Sequence, residues 1–339
     1  MTTDLALFPL YEYWWFYAAF TALVLALLAV DLGVFHRKAH VVSVREAAGW
    51  SVMWIALALL FNLFAYHFMT GRLAADPRLT SLAGFDAEKA AHRAALEFLA
   101  GYVMEYSLSV DNIFVFVIVL SYFRVPSQLQ HRVLFFGILG ALVFRGLFIA
   151  AGAALMRFSV VVLLFGLFLM YTGVKVMFAP EKGVSPEENA VIRVFRRLVP
   201  VTRELHGRRF FVVVGRRLHA TPLFIALLFL ELTDVVFAVD SVPAIFGLTR
   251  EPLIVFTSNI FAILGLRSMY FMLAGAIDKF HMLKYGLGLV LIFVGLKMAW
   301  LNNAFSGHFP IEVSLGIIVG VIGISIALSL IFPAPRKES

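Results

Sequence analysis

Glu105-Tyr106-Ser107-Leu108-Ser109-Val110-Asp111-Asn112 is answered later in the chain by Asp234-Val235-Val236-Phe237-Ala238-Val239-Asp240-Ser241. One frame therefore occurs twice: an acid, five residues, a second acid, then a small polar side chain. Both copies lie inside long apolar runs. Insertion scales put a charged side chain at the bilayer centre at about 3 kcal/mol, so carboxylates placed there are functional candidates by default.

The rest of the composition fits a membrane setting. Of the 339 residues 62% are hydrophobic and the mean hydropathy is +0.92, too apolar for a soluble chain. The expected fold class is an all-α polytopic membrane protein. With about 20 apolar residues per span as the unit, nine helices are expected, near Tyr11–Phe35, Ala47–Met69, Ala94–Phe123, Val133–Ala154, Ser159–Phe178, Thr221–Phe246, Pro252–Ala276, Met282–Leu301 and Ile311–Phe332. The absence of cysteine excludes disulfides, iron–sulfur clusters and thiolate zinc sites. The net charge of +7 reads as a topology signal, with no nucleic-acid partner implied. Most Lys and Arg fall after spans one, three, five and seven and in the C-terminal tail, which puts the N-terminus outside and the C-terminus in the cytoplasm.

A second repeated stretch aligns the two halves. Gly166-Leu-Phe-Leu-Met-Tyr-Thr-Gly173-Val-Lys175 matches Gly288-Leu-Val-Leu-Ile-Phe-Val-Gly295-Leu-Lys297, and Arg145 and Arg267 precede them by the same interval. Spans three to five thus repeat as six to eight. Because each unit has three spans, the copies enter the membrane from opposite sides, an inverted-topology repeat of the kind from which many secondary transporters are built. The chain divides into two N-terminal spans and an external loop (1–93), repeat A (94–178), a basic cytoplasmic loop (179–219), repeat B (220–302), and the ninth span with its tail (303–339). Within the basic loop, Ser185-Pro186-Glu187-Glu188 reads as a helix start. The alternation of Val191, Ile192, Phe195 and Leu198 with Arg193, Arg196 and Arg197 suits a helix on anionic lipid, or a solvated basic loop. Phe210–Val214 and Arg217–Thr221 flank Gly215-Arg216 as a small hairpin.

The repeat places Glu105 and Asp234 near the two span midpoints, Asp111 towards the cytoplasm and Asp240 towards the outside. Six residues of helix turn through roughly 240°, so Glu105 and Asp111 do not share a face. Either the helix is broken or the acids form separate groups. Pro243 favours a break in the sixth span, since it cannot donate to the Val239 carbonyl, leaving that oxygen as a candidate ligand. Glu231 is a fifth intramembrane carboxylate, and Arg145 and Arg267 are expected to pair with acids in a structural or gating role. Lys175 and Lys297 lie near span ends, where they can snorkel. Close carboxylates in low dielectric cannot all stay ionised, so the site must hold protons, a cation, or each in turn. Carboxylates, Asn112, Ser109, Ser241, Asn259 and free carbonyls are hard oxygen donors suited to Mg²⁺, Ca²⁺ or Mn²⁺. Nothing resembles a nucleophile with its base, a phosphate loop or a catalytic zinc site, so an enzyme is not expected.

Glu105–Phe116 (EYSLSVDNIFVF), Glu231–Phe246 (ELTDVVFAVDSVPAIF) and Ser258–Tyr270 (SNIFAILGLRSMY) closely resemble the TerC/Alx family of bacterial integral membrane proteins. The resemblance covers nearly the whole chain. It implies a place in the cytoplasmic membrane and a role in metal-ion homeostasis, manganese export above all, with a historical link to tellurite resistance and a grouping with the LysE exporters. It puts function on Glu105, Asp111, Asn112, Glu231, Asp234, Asp240 and Ser241. The expectation is a secondary transporter exporting Mn²⁺, with Ca²⁺ not separable by ligand type, in exchange for protons or Na⁺, and with no prosthetic group. The competing expectations are an exporter of another solute of the LysE type and a non-transport membrane assembly factor.

Overall fold

The computed structural model describes residues 6–35, 42–178, 190–202, 204–274, 277–305 and 309–332. Among these, nine helices are long and apolar enough to cross a membrane. They run Leu10–Phe35, Val44–Ala74, Ala87–Tyr122, Ser127–Leu155, Ser159–Phe178, Pro222–Phe246, Pro252–Leu273, Leu283–Ala304 and Ile311–Ile331. Several begin on recognisable signals. Ser43 caps the second span, its hydroxyl accepting from the Glu46 amide at 3.2 Å, and Asp86 caps the third through the Glu88 and Lys89 amides. Proline opens the sixth and seventh, where its missing N–H costs nothing.

The seventh span is the axis of the bundle: 94% of its apolar window is buried inside the protein, whereas most other spans keep a broad lipid-facing side. Phe261 on this span meets Phe61, Phe20 and Phe98 at ring separations of 4.8, 5.6 and 6.1 Å, locking the first three spans around it. The third span packs on the seventh and the fourth on the sixth, while the fifth packs along the eighth. At that last contact the glycines of the repeated stretch meet crosswise. A Cβ on Gly166 would lie 2.8 Å from the Gly295 carbonyl oxygen, and one on Gly173 would lie 2.5 Å from that of Gly288. Only glycine allows the backbones this close.

Two local expectations are corrected. The sixth span passes through Pro243 without a break and ends at Phe246, so the proline costs its ladder bond only in the final turn. The interruption lies instead in the seventh span, where Pro252–Leu264 gives way at Gly265 to Leu266–Leu273. Lys297 does not snorkel: it opens a π-helical turn, Lys297–Leu301, in the eighth span and is buried.

Between the fifth and sixth spans the helix Ala190–Leu198 and a two-stranded hairpin, Phe211–Val214 with Arg217–Ala220, form a compact platform. The helix start expected at Ser185–Glu188 lies outside the described residues.

Candidate functional site: a buried ionic network

Glu105 and Asp234 hold the same guanidinium. Arg145, on the fourth span and fully buried, donates through Nη1 to Glu105 Oε1 and through Nη2 to Asp234 Oδ1 at 3.1 Å, with Nε 3.4 Å from Asp234 Oδ2. Two amides close the ring. Asn259 accepts from Arg145 Nη1 at 3.1 Å and donates to Glu105 Oε2 at 3.1 Å, while Asn112 Nδ2 lies 3.5 Å from Asp234 Oδ1. Five buried side chains from the third, fourth, sixth and seventh spans thus converge. Amide flexibility matters here, because Asn112 and Asn259 can turn either a donor or an oxygen ligand towards the carboxylates. With both acids ionised the network carries one negative charge in excess of its arginine.

The other candidate residues stand apart from that ring. The third span is continuous through Glu105 and Asp111, so helical geometry carries Asp111 away from Glu105; it is half-buried and makes no hydrogen bond or ion pair to a described side chain. Asp240 is also half-buried and accepts from Thr172 of the fifth span at 3.4 Å. Val239 turns its side chain outwards. Ser109 and Ser241 are buried with hydroxyls that find no partner among the described residues. Glu231, one turn before Asp234 on the same helix face, rests over Gly140 of the fourth span and leaves Oε2 buried without a partner among the described residues. Of the two alternatives left by the sequence, a broken helix or separate groups of acids, the acids take the second, and among the described residues no three His, Asp or Glu side chains converge closely enough to hold a metal ion.

Arg267 is paired, but with an acid outside the repeat. Its Nη2 binds Asp31 of the first span, and Nη1 lies 3.4 Å from His131 Nε2 at the start of the fourth. A further polar group sits where the third span meets the connection from the sixth to the seventh. Glu97, buried, accepts from Arg93 Nε at 2.9 Å and from the Thr249 hydroxyl. Next to it Glu251 accepts the Leu7 and Phe8 amides at 2.8 and 3.2 Å, and burial raises its carboxyl above the usual value. Sequence reasoning passed over Asp31 and Glu97, although each is an acid within an apolar run and carried the same signal as the repeated frame.

A small cavity of about 10 Å³ touches Asp234 and is otherwise walled by Phe116, Leu134, Gly137, Ile138, Ala141, Leu230 and Leu266. Apolar side chains from four spans close over the network there.

Comparison with known proteins places this architecture. The profile described as "Integral membrane protein TerC family" matches residues 90–337. An "Uncharacterized membrane protein STKORF319" of Myxococcus xanthus is 50% identical over 93% of this chain and 92% of its own length. A protein of Escherichia coli (strain K12), named "Putative membrane-bound redox modulator Alx", is 43% identical over 90% of this chain and 91% of its own. A membrane protein of Rickettsia bellii is 36% identical over 92% and 96%. No solved structure matches the chain. The chain belongs to the TerC family of integral membrane proteins.

Proposed function

We propose that this protein is a secondary transporter, not an enzyme, and that it exports a hard divalent cation, Mn²⁺ first among them, from the cytoplasm in exchange for protons. The observation that carries the reading is the sharing of Arg145 by Glu105 and Asp234. These acids occupy equivalent places in the two copies of the frame, and their single guanidinium neutralises only one of the two charges, whereas a divalent ion would balance both. In this conformation Arg145 is the internal cation. A metal ion arriving at Glu105, Asp234 and the amide oxygens of Asn112 and Asn259 would take the arginine's place. Asp111 and Asp240 would serve as staging carboxylates on the approach and exit paths.

The crosswise meeting of Gly166 with Gly295 and Gly173 with Gly288 supports the inverted repeat, because a two-fold axis between two copies makes residue i meet j and j meet i. The pairing of the third span with the seventh and of the sixth with the fourth obeys the same exchange. In such folds one unit rocks against the other around a central site. The N-terminus would lie outside and the C-terminus in the cytoplasm of a bacterial inner membrane. The redox wording in a relative's name is compatible, since control of a redox-active metal alters redox balance without any thiol in the chain.

The reading is tested by Mn²⁺ uptake into inside-out vesicles with an acidic lumen. Uptake that collapses with the pH gradient supports it; uptake indifferent to the gradient removes the exchange.

A further inference from the structure

The platform between the fifth and sixth spans carries more positive charge than the protein uses. Arg196, Arg197, Arg208, Arg209, Arg216 and Arg217 are exposed, and Glu204 is the sole acid between residues 190 and 220. The amphipathic helix offers only part of its apolar side outwards. Ile192 is fully buried and Phe195 packs at a tilt against Phe224 at the start of the sixth span, so these two are spent on the protein, while Leu198, at the end of the helix, stays exposed.

The hairpin behaves differently. Its register pairs Val213 with Leu218 and Phe211 with Ala220, so Phe211, Val213 and Leu218 share one face, and Val212 points the other way into the protein. Val213 and Leu218 are 71% and 57% exposed, an unusual fate for a directly opposed apolar pair. Phe211 lies 4.4 Å, ring to ring, from Phe224, which makes the open face continuous with the flank of a membrane span. The hairpin is also fixed at that depth. Thr221 donates its hydroxyl to the Arg209 carbonyl at 2.8 Å and its amide to Phe210, Ala220 pairs with Pro200 and Thr202, and the sixth span begins at Pro222. Four residues of strand reach about 13 Å, so the tip cannot leave the membrane surface. The tip itself is Gly215-Arg216, both at positive φ, a tight turn that exposes Arg216 at the end of the apolar pair, with Arg217 on the opposite face across from Val214.

We propose that the Phe211–Val213–Leu218 face seats in the headgroup layer of an anionic membrane, with the surrounding arginines bound to lipid phosphates. Apolar side chains at the acyl boundary with basic groups reaching the headgroups are the arrangement of interfacial anchors. The anchor would fix the base of the sixth span, and with it the helix bearing Asp234, to the bilayer plane.

The absence of cysteine allows a clean test on the whole chain. Val213→Cys, labelled with a nitrobenzoxadiazole fluorophore, is reconstituted in vesicles of phosphatidylcholine alone or with phosphatidylglycerol; Leu218→Cys serves if the first variant does not fold. The expected result is blue-shifted emission and several-fold weaker quenching by aqueous iodide in the anionic vesicles, with quenching by headgroup-proximal spin-labelled lipid. Arg216→Glu with Arg217→Glu abolishes this difference, while Lys at both positions keeps it. Equal iodide access in both lipids overturns the proposal. So does protection that persists in lipid-free detergent, which would mean that protein, a second copy included, covers the face.

Discussion

Glu105 and Asp234, 129 residues apart and from different spans, bind the same buried guanidinium of Arg145. This puts the two copies of the repeated frame in one electrostatic unit at the centre of the bundle. Removing either acid and removing the arginine are therefore different experiments.

Arg145→Ala leaves two buried carboxylates facing one another, and breaking a buried pair typically costs about 3–5 kcal/mol. The expected outcome is a strongly lowered thermal midpoint in detergent. Glu105→Gln added to Arg145→Ala should recover part of the loss, since it removes one unpaired charge. A double variant as unstable as the sum of the singles would argue against a shared network.

The contact between the fifth and eighth spans should be intolerant of one methyl group. Gly173→Ala puts a Cβ 2.5 Å from the Gly288 carbonyl oxygen, and backbone cannot give way as a flexible side chain can. A loss of about 1–3 kcal/mol is expected from such overpacking. Gly316→Ala on the ninth span meets nothing within 4 Å and is the matched control. Thermal unfolding of the two variants side by side checks the contrast.

Much of this architecture is legible in the sequence, and the reason is physical. Hydrocarbon thickness fixes span length, so nine apolar runs became nine candidate spanning helices, and the fifth was bounded correctly to the residue at Ser159–Phe178. The Gly-x₆-Gly stretch is present in both halves, and its two copies fall where spans five and eight pack together. Partner choice was not legible in the same way. Asp31 and Arg267 are 236 residues apart with no repeated frame to link them, and only the packed bundle brings them together. Nor could periodicity say whether Pro243 bends its helix, because a proline near a terminus disturbs few carbonyls. The third and sixth helices each run unbroken through their two acids, and that is what keeps Asp111 and Asp240 out of the central network.

The Asp31–Arg267 pair ties the first span to the axis of the bundle. Asp31→Asn should destabilise by about 3 kcal/mol or more if the arginine is left buried and unpaired. Asp31→Asn with Arg267→Gln should cost less than the two singles together. A double-mutant cycle on chemical unfolding measures the coupling, and additivity would place the two side chains in separate environments.

Glu251 supplies a pH dependence of defined sign. Burial raises its folded-state value above 4.5, so the folded protein holds this proton more tightly than the unfolded chain does. Its contribution is present below pH 4.5 and is lost as pH rises through the raised folded value. Glu251→Gln keeps one acceptor oxygen for the Leu7 and Phe8 amides, at the cost of the second, and should flatten this part of the stability profile. Asp76 acts oppositely: Arg78, bound at 2.6 Å, holds it below its usual value, so its contribution is present above pH 3.8 and fades as pH falls through the lowered folded value. A stability profile unchanged by Glu251→Gln would contradict the first assignment.

The most direct measurement of the central claim is Mn²⁺ flux in proteoliposomes under an imposed pH gradient, comparing the wild type with Asp234→Asn and Asp111→Asn. Asp234→Asn removes charge from the network while keeping its shape, and Asp111→Asn alters a carboxylate that pairs with no described side chain. The account predicts gradient-driven Mn²⁺ movement in the wild type and its loss in both variants, each still monodisperse and inserted like the wild type. Wild-type flux in a correctly folded Asp234→Asn protein, or no divalent-ion movement by the wild type under any gradient, would contradict it.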